Sequence, residues 1–153
     1  MDPGELRRLW EEAGGDAASP PAGPGLFGLP IGDDPGALAG AALAAVGFPV
    51  GELALSPSAV RAASSRYAGW AARPGVLLLT ADYGDIAVAA DDLAVSFMCA
   101  HERLADIVAA GATPLVLGGD GLVSLPVLQV LSGKLRGRLG IVAFTPTYDI
   151  APA

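Results

Sequence analysis

Two short apolar runs, Pro114-Leu115-Val116-Leu117 and Leu139 to Phe144, bracket a glycine turn and a helical stretch, and they constrain this fold more than anything else in the chain. Each run is continuous rather than alternating, the pattern of a strand buried on both faces of a parallel sheet. The first stops at Gly118-Gly119-Asp120 and the second at Pro146. Both would end at one edge of the sheet, and in open α/β sheets that carboxyl edge is where ligands bind. Asp120, Gly121 and the string Thr145-Pro146-Thr147-Tyr148-Asp149 fall there. Thr147 and Tyr148 could donate hydrogen bonds to a ligand, and Asp120 could contact one.

Strands alternating with helices along the chain predict an α/β fold. The expectation is a three-layer α-β-α arrangement with a mainly parallel sheet of about four strands joined by right-handed crossovers. At 153 residues the chain fits one domain, and 52% hydrophobic against 16% charged residues suits a sheet covered on both faces. Glycine and proline concentrate in the first half. Residues 1–24 read as a short amphipathic helix with Leu6, Leu9 and Trp10 followed by a Gly/Pro-rich linker, either docking on a partner or fraying. Residues 25–153 read as the α/β domain.

Within that domain Gly25 to Pro30 reads as a first strand and Ala37 to Val46 as a loosely packed Ala-rich helix. Gly47 to Leu55 fits either strand or loop. Ser56-Pro57 has the N-cap and first-turn proline of a helix start, with Val60, Ala63, Tyr67 and Trp70 along one side. Val76 to Thr80 reads as a strand that ends in an Asp82-Tyr83-Gly84-Asp85 turn. Leu93 to Ala110 forms a helix with Val95, Met98, Leu104, Val108 and Ala109 available for a buried face, capped by Gly111. Ser124 to Leu135 is the last helix.

Charge and rare residues exclude whole classes of function. A net charge of −7 with a single lysine, Lys134, argues against nucleic-acid and anionic-membrane binding, both of which need a positive footprint. No run approaches the roughly 20 apolar residues of a membrane helix. One cysteine, Cys99, precludes an internal disulfide and reads as a small apolar residue rather than a nucleophile. His101 is the one imidazole; it sits mid-helix, away from the strand ends, and no Ser-His-Asp or Cys-His set can be assembled without it. Asp85, Asp120 and Asp149 could together hold a cation, although turn and capping roles explain them equally well. The expected compartment is the cytoplasm.

These segments, in order, resemble a family. Ser56-Pro-Ser-Ala-Val-Arg61, Asp82-Tyr-Gly-Asp85, Gly111 to Asp120, Ser124-Leu-Pro-Val-Leu and Gly140 to Phe144 are similar to the amino-terminal half of the agmatinases and arginases, the ureohydrolases. The resemblance runs from about Gly25 to Asp149 and implies a half-length version of the ureohydrolase fold. It also implies hydrolysis of guanidino groups by hydroxide held between two manganese ions, which lower the pKa of bound water. The family's ligands are a His directly after Gly-Gly-Asp, an Asp-Ala-His-x-Asp cluster after the next strand, and a later Asp-x-Asp pair. Here Gly121 stands for the first His, Thr145 for the first Asp of the cluster and Thr147 for its His; only Asp149 remains, and no later pair precedes Ala153.

One carboxylate cannot hold a bridged pair of hard cations. The expectation is therefore a catalytically inactive ureohydrolase-like protein with no catalytic residues and no cofactor, acting as a binding, structural or regulatory subunit. The alternative is a metal-dependent hydrolase of a guanidino compound whose site is completed by another chain, or a pocket repurposed around Asp120, Thr145, Thr147 and Asp149. A third reading is a chain that folds without a selected function. In the family the fourth strand is separated from the third by two strands of the carboxy-terminal half, so Leu139 to Phe144 faces a choice. It can close against Pro114 to Leu117 in the order 2-1-3-4, or another chain can supply the pairing, giving a homo-oligomer or a hetero-oligomer with a ureohydrolase-like protein.

Overall fold

The computed structural model describes Arg8 and residues 23–50, 57–71, 79–89, 91–119, 121–134 and 139–144. A parallel sheet lies at its centre, with β1 (Leu43–Gly47) between β2 (Thr80–Asp85) and β3 (Thr113–Leu117). Among the described residues three helices of eight residues or more accompany it, α1 (Pro57–Ser64), α2 (Leu93–Ala109) and α3 (Ser124–Lys134), with one further helical turn at Ala68–Ala71. The class is α/β as expected, with three strands among the described residues rather than about four.

Side chains alternate across a strand, and this places the layers. Ala44 and Val46 of β1, Tyr83 of β2 and Val116 of β3 join Phe48, Ala100, Leu104, Ile107 and Val130 in the main core, so α2 and α3 cover this face. Asp82 points the other way, to Arg61 of α1, and a Cβ on Gly47 would lie 2.6 Å from that of Pro57. The first helix therefore covers the opposite face.

Four sequence expectations change. Ala37 to Val46 is not a helix: a 3-10 turn, Pro35–Leu38, leads through Gly40 at φ 74° into β1. Alanine favours helix locally, but Ala44, Ala45 and Val46 are 0% exposed in the central strand, where small side chains let two layers approach. Gly25 to Pro30 is not a strand. Its chain folds back through Gly25 N–H donating to Leu29 O at 2.9 Å around the turn Leu26–Gly28, with Phe27 at φ 56°. One parallel bridge, Ile31 to Asp82, follows it.

The strand expected at Val76 to Thr80 overlaps β2 only at Thr80, residues 72–78 lying outside the described set. Strand β2 instead runs on through Asp82 to Asp85, read from sequence as a turn. Polar residues survive there because Arg61 neutralises them. The fourth difference is Leu139 to Phe144, which joins no sheet, with Val142 82% and Phe144 97% exposed.

Both later helices stand as read. Asp92 caps α2, its carboxylate accepting from Ala94 N at 2.9 Å and Val95 N at 3.1 Å. The helix ends at Gly111, whose φ of 81° glycine adopts without strain. Its buried face is Val95, Ser96, Ala100, Leu104 and Ile107, so Met98, Val108 and Ala109, expected there, are not among its buried residues. Pro126 is buried in the first turn of α3, where its missing N–H costs little. The expected N-terminal helix and linker lie outside the described residues, apart from Arg8.

Candidate functional site

The carboxyl ends of the three strands converge where the sequence places chemistry, at Gly47, Asp85 and Leu117. Parallel pairing places Gly47 opposite Asp85, after a one-residue register shift beyond Ala45, and opposite Leu117, and brings them together. What lies beside the first two is an ion-paired cluster centred on Arg61. Its Nε donates to Asp82 Oδ2 and its Nη2 to Asp82 Oδ1, both at 2.8 Å, the bidentate fork a guanidinium makes with a carboxylate. Nη1 donates to Asp85 Oδ1 and Nη2 also to Gly84 O at 3.0 Å.

The cluster ties three segments together. Asp82 Oδ2 accepts from Leu26 N at 2.7 Å, and Ser64 Oγ donates to Arg61 O while accepting from Phe27 N. Arg61 and Asp82 are each 1% exposed. Burial works against the guanidinium charge, but the hydrogen bonds and fields of Asp82 and Asp85 outweigh it and raise the Arg61 pKa. A permanently charged group thus occupies the carboxylates at the end of β2.

The helix carrying Arg61 reverses its expected orientation. Val60 and Tyr67, read as an inward side with Ala63, are 37% and 54% exposed, and the buried residues of α1 are Pro57, Arg61 and Ser64. Apolar periodicity misses a polar inward face. The available signal was the motif itself, an arginine in a helix-start segment and two aspartates three apart.

Beside β3 the edge is built from glycine. Gly118 approaches closely: a Cβ there would lie 2.4 Å from Val123 Cγ1 and 3.2 Å from Phe48 O. Gly121 opens the 3-10 turn Gly121–Val123 and is exposed, and Ser124 Oγ donates to its carbonyl. It has no side chain to offer a metal. Asp120, Thr145, Thr147, Tyr148 and Asp149 lie outside the described residues. Asp85, considered above as a cation ligand, is engaged by Arg61 instead. Among the described residues no group of three or more histidine, cysteine or carboxylate side chains gathers that could hold a metal ion.

The remaining reactive groups lie elsewhere. His101 is exposed on α2. Cys99 is half-buried against the core, and burial first, then the charge of Glu102, pushes its thiol pKa up. A second polar group sits on the α2 face, where the Arg103 guanidinium lies 3.7 Å from the Tyr83 ring centroid and donates to Tyr83 O and Asp33 O. The Tyr83 hydroxyl donates to Asp106 at 3.1 Å, and burial foremost pushes its pKa up to about 12. A cavity of about 330 Å³, lined by Leu29, Pro30, Ile31, Gly32, Ala37, Thr80, Ala81 and Asp82, lies toward the amino end of β2. Its single carboxylate is the one held by Arg61. No described helix is long and apolar enough to cross a membrane.

Comparison with known proteins agrees with this architecture. The family model described as "Arginase family" matches residues 37–152. Mitochondrial agmatinase of Gallus gallus is 40% identical over 102 residues, which is 62% of this chain and 30% of that protein. Mitochondrial guanidino acid hydrolase of Homo sapiens is 40% identical over 83 residues, 52% of this chain and 23% of that one. The crystal structure of a hypothetical agmatinase from Burkholderia thailandensis superposes with a TM-score of 0.61 at 27% identity, covering 72% of this chain and 38% of the other. This chain spans less than a third of the chicken and human relatives. With 116 consecutive residues inside the family model and the same fold in a solved relative, the chain belongs to the arginase family.

Proposed function

We propose that this chain is a catalytically silent arginase-family protein that acts as a binding, structural or regulatory subunit. Gly121 carries the reading: an exposed residue without a side chain stands at the end of β3, where the family resemblance calls for a metal-binding imidazole. Support comes from β2, on the far side of β1, whose two carboxylates are already bound to Arg61. Replacing Arg61 by a metal would strip a buried charge of its partners, which is costly. The sequence at Thr145 and Thr147 points the same way, since hydroxyl side chains are poor substitutes for a carboxylate and an imidazole around a hard dication.

Relatives of this chain are named for agmatine and guanidino-acid hydrolysis, which makes guanidino compounds the substrates to test. Purified protein in added manganese should release no urea from agmatine, arginine or guanidinobutyrate, and elemental analysis should find no stoichiometric metal. Manganese-dependent urea release abolished by Asp149→Ala would replace the silent reading with the enzymatic one.

A further inference from the structure

Asp82 and Asp85 stand three apart on one strand, yet both reach the same guanidinium. Successive side chains of a regular strand alternate between faces, so residues an odd number apart point opposite ways. The register resolves the conflict. From Ala45 to Gly47 β1 advances two residues while β2 advances three, from Asp82 to Asp85, so β2 carries one extra residue. Gly84, at φ 72°, takes the left-handed conformation of a bulge. The insertion returns Asp85 to the α1 face beside Asp82, and by the same shift puts Ile86 in the main core with Tyr83.

A bulge takes backbone groups out of the ladder, and here side chains from both faces of the sheet bind them. On the α1 side Gly84 O accepts from Arg61 Nη2 at 3.0 Å, and Gly84 N donates to Asp82 Oδ1 at 3.1 Å. On the α2 side the other end of that peptide, Tyr83 O, accepts from Arg103 Nη2 at 2.8 Å. Arg103 also holds Asp33 O at 2.7 Å, next to Gly32, whose N–H donates to the Asp82 carbonyl at 2.9 Å. Its guanidinium lies over the Tyr83 ring, and its buried Nε has no hydrogen-bond partner among the described residues. An orphaned buried donor costs stability. The two carbonyls and the ring therefore fix this arginine, at the expense of its own third donor group.

We propose that the Tyr83–Gly84 peptide couples the two faces of the sheet, and that Arg103 is a positioning residue for the Arg61 ion pair on the opposite face. A peptide group is planar, so a donor fixed on its oxygen sets the direction of its N–H. Arg103 on Tyr83 O thus aims Gly84 N–H at Asp82, and Asp82 in turn receives two donors of Arg61. Through Asp33 O the same arginine steadies the loop that reaches the Asp82 carbonyl. This coupling goes beyond the subunit reading and holds whether or not the chain binds a metal.

Heteronuclear NMR of the arginine side chains, with urea denaturation, tests the coupling on the full chain. Wild type should show a slowly exchanging Arg61 Nε–H, assigned by its loss in Arg61→Lys. Arg103→Met keeps an apolar stem over Tyr83 without a donor, and should speed that exchange about tenfold. Ile107→Val, a core change on the same helix, reports general loosening and should speed it far less. Arg103→Lys keeps a cation and a donor and should restore part of the protection; should Arg103→Met fail to fold, this variant still exceeds Ile107→Val by about threefold. Gly84→Val should mimic Arg103→Met, whereas Gly84→Asn, which tolerates the left-handed region, stays nearer wild type. In urea, the unfolding constant of the Arg61→Lys, Arg103→Lys double variant should fall short of the product of the single effects by about threefold. An Arg61 Nε–H that exchanges no faster in the Arg103 variants than in Ile107→Val overturns the proposal. So do single effects that simply multiply.

Discussion

Arg61 makes four hydrogen bonds from a helix whose Val60 faces solvent, and it decides what two aspartates can do. Removing one partner of a buried ion pair typically costs about 3–5 kcal/mol, because the charge left behind has neither water nor counter-ion. Arg61→Ala should lower stability by about that much in urea denaturation. Arg61→Lys should recover only part, since an ammonium cannot make the two-pronged contact with Asp82.

Tyr83 gives a prediction with a pH sign. Its phenol titrates near 10 when unfolded and is raised to about 12 in the fold. A raised acid stabilises the fold fully below pH 10, and that contribution is lost as pH climbs through 10 to 12, because the unfolded state releases its proton first. Ultraviolet titration should show a tyrosine ionising near pH 12 that vanishes in Tyr83→Phe, and the variant's stability should fall less steeply over that interval. Cys99 should react more slowly with a thiol reagent in the native chain than in denaturant, because burial and Glu102 both disfavour the thiolate.

Among elements, β1 shows how tightly the layers meet. A Cβ on Gly47 would fall 2.6 Å from Pro57 Cβ and on top of an Asp85 carboxylate oxygen. Gly47→Ala must therefore push α1 outward or displace Asp85 from Arg61, and overpacking of this kind costs about 1–3 kcal/mol. At α2, Asp92→Ala leaves two N-terminal N–H groups without their acceptor. The expected loss is about 1 kcal/mol, measured as a shift in the urea midpoint. The same two elements show what was legible. Helix α2 was readable because its cap, period and terminal glycine all agree. Strand β1 was not, because an alanine-rich run has no β signature, and only its place between two other strands makes small side chains an advantage.

For the whole molecule, a sheet with three strands among the described residues leaves little margin. A domain is typically stable by about 5–15 kcal/mol, and a large-to-small change at a fully buried leucine costs about 2–5. Leu104, 1% exposed between α2 and the sheet, is such a position. Leu104→Ala should leave a substantial unfolded fraction at 25 °C by circular dichroism. Leu139 to Phe144 reads as a strand and is not one here. Its apolar sequence states that it needs burial, but a strand needs a neighbour.

The sequence by itself determined the class, the parallel direction of the strands, both later helices and the family, because each rests on local pattern or motif order. That Gly121 follows Gly118-Gly119-Asp120 was equally plain, since identity at a motif position needs no coordinates. Tertiary structure decided the rest. Which segment became the central strand, which side of α1 turned inward, and what occupied Asp82 and Asp85 all depend on contacts between residues far apart in the chain. A buried arginine held by two aspartates 21 and 24 positions away leaves no periodic trace. Its meaning appears only when the strand end and the helix are brought together.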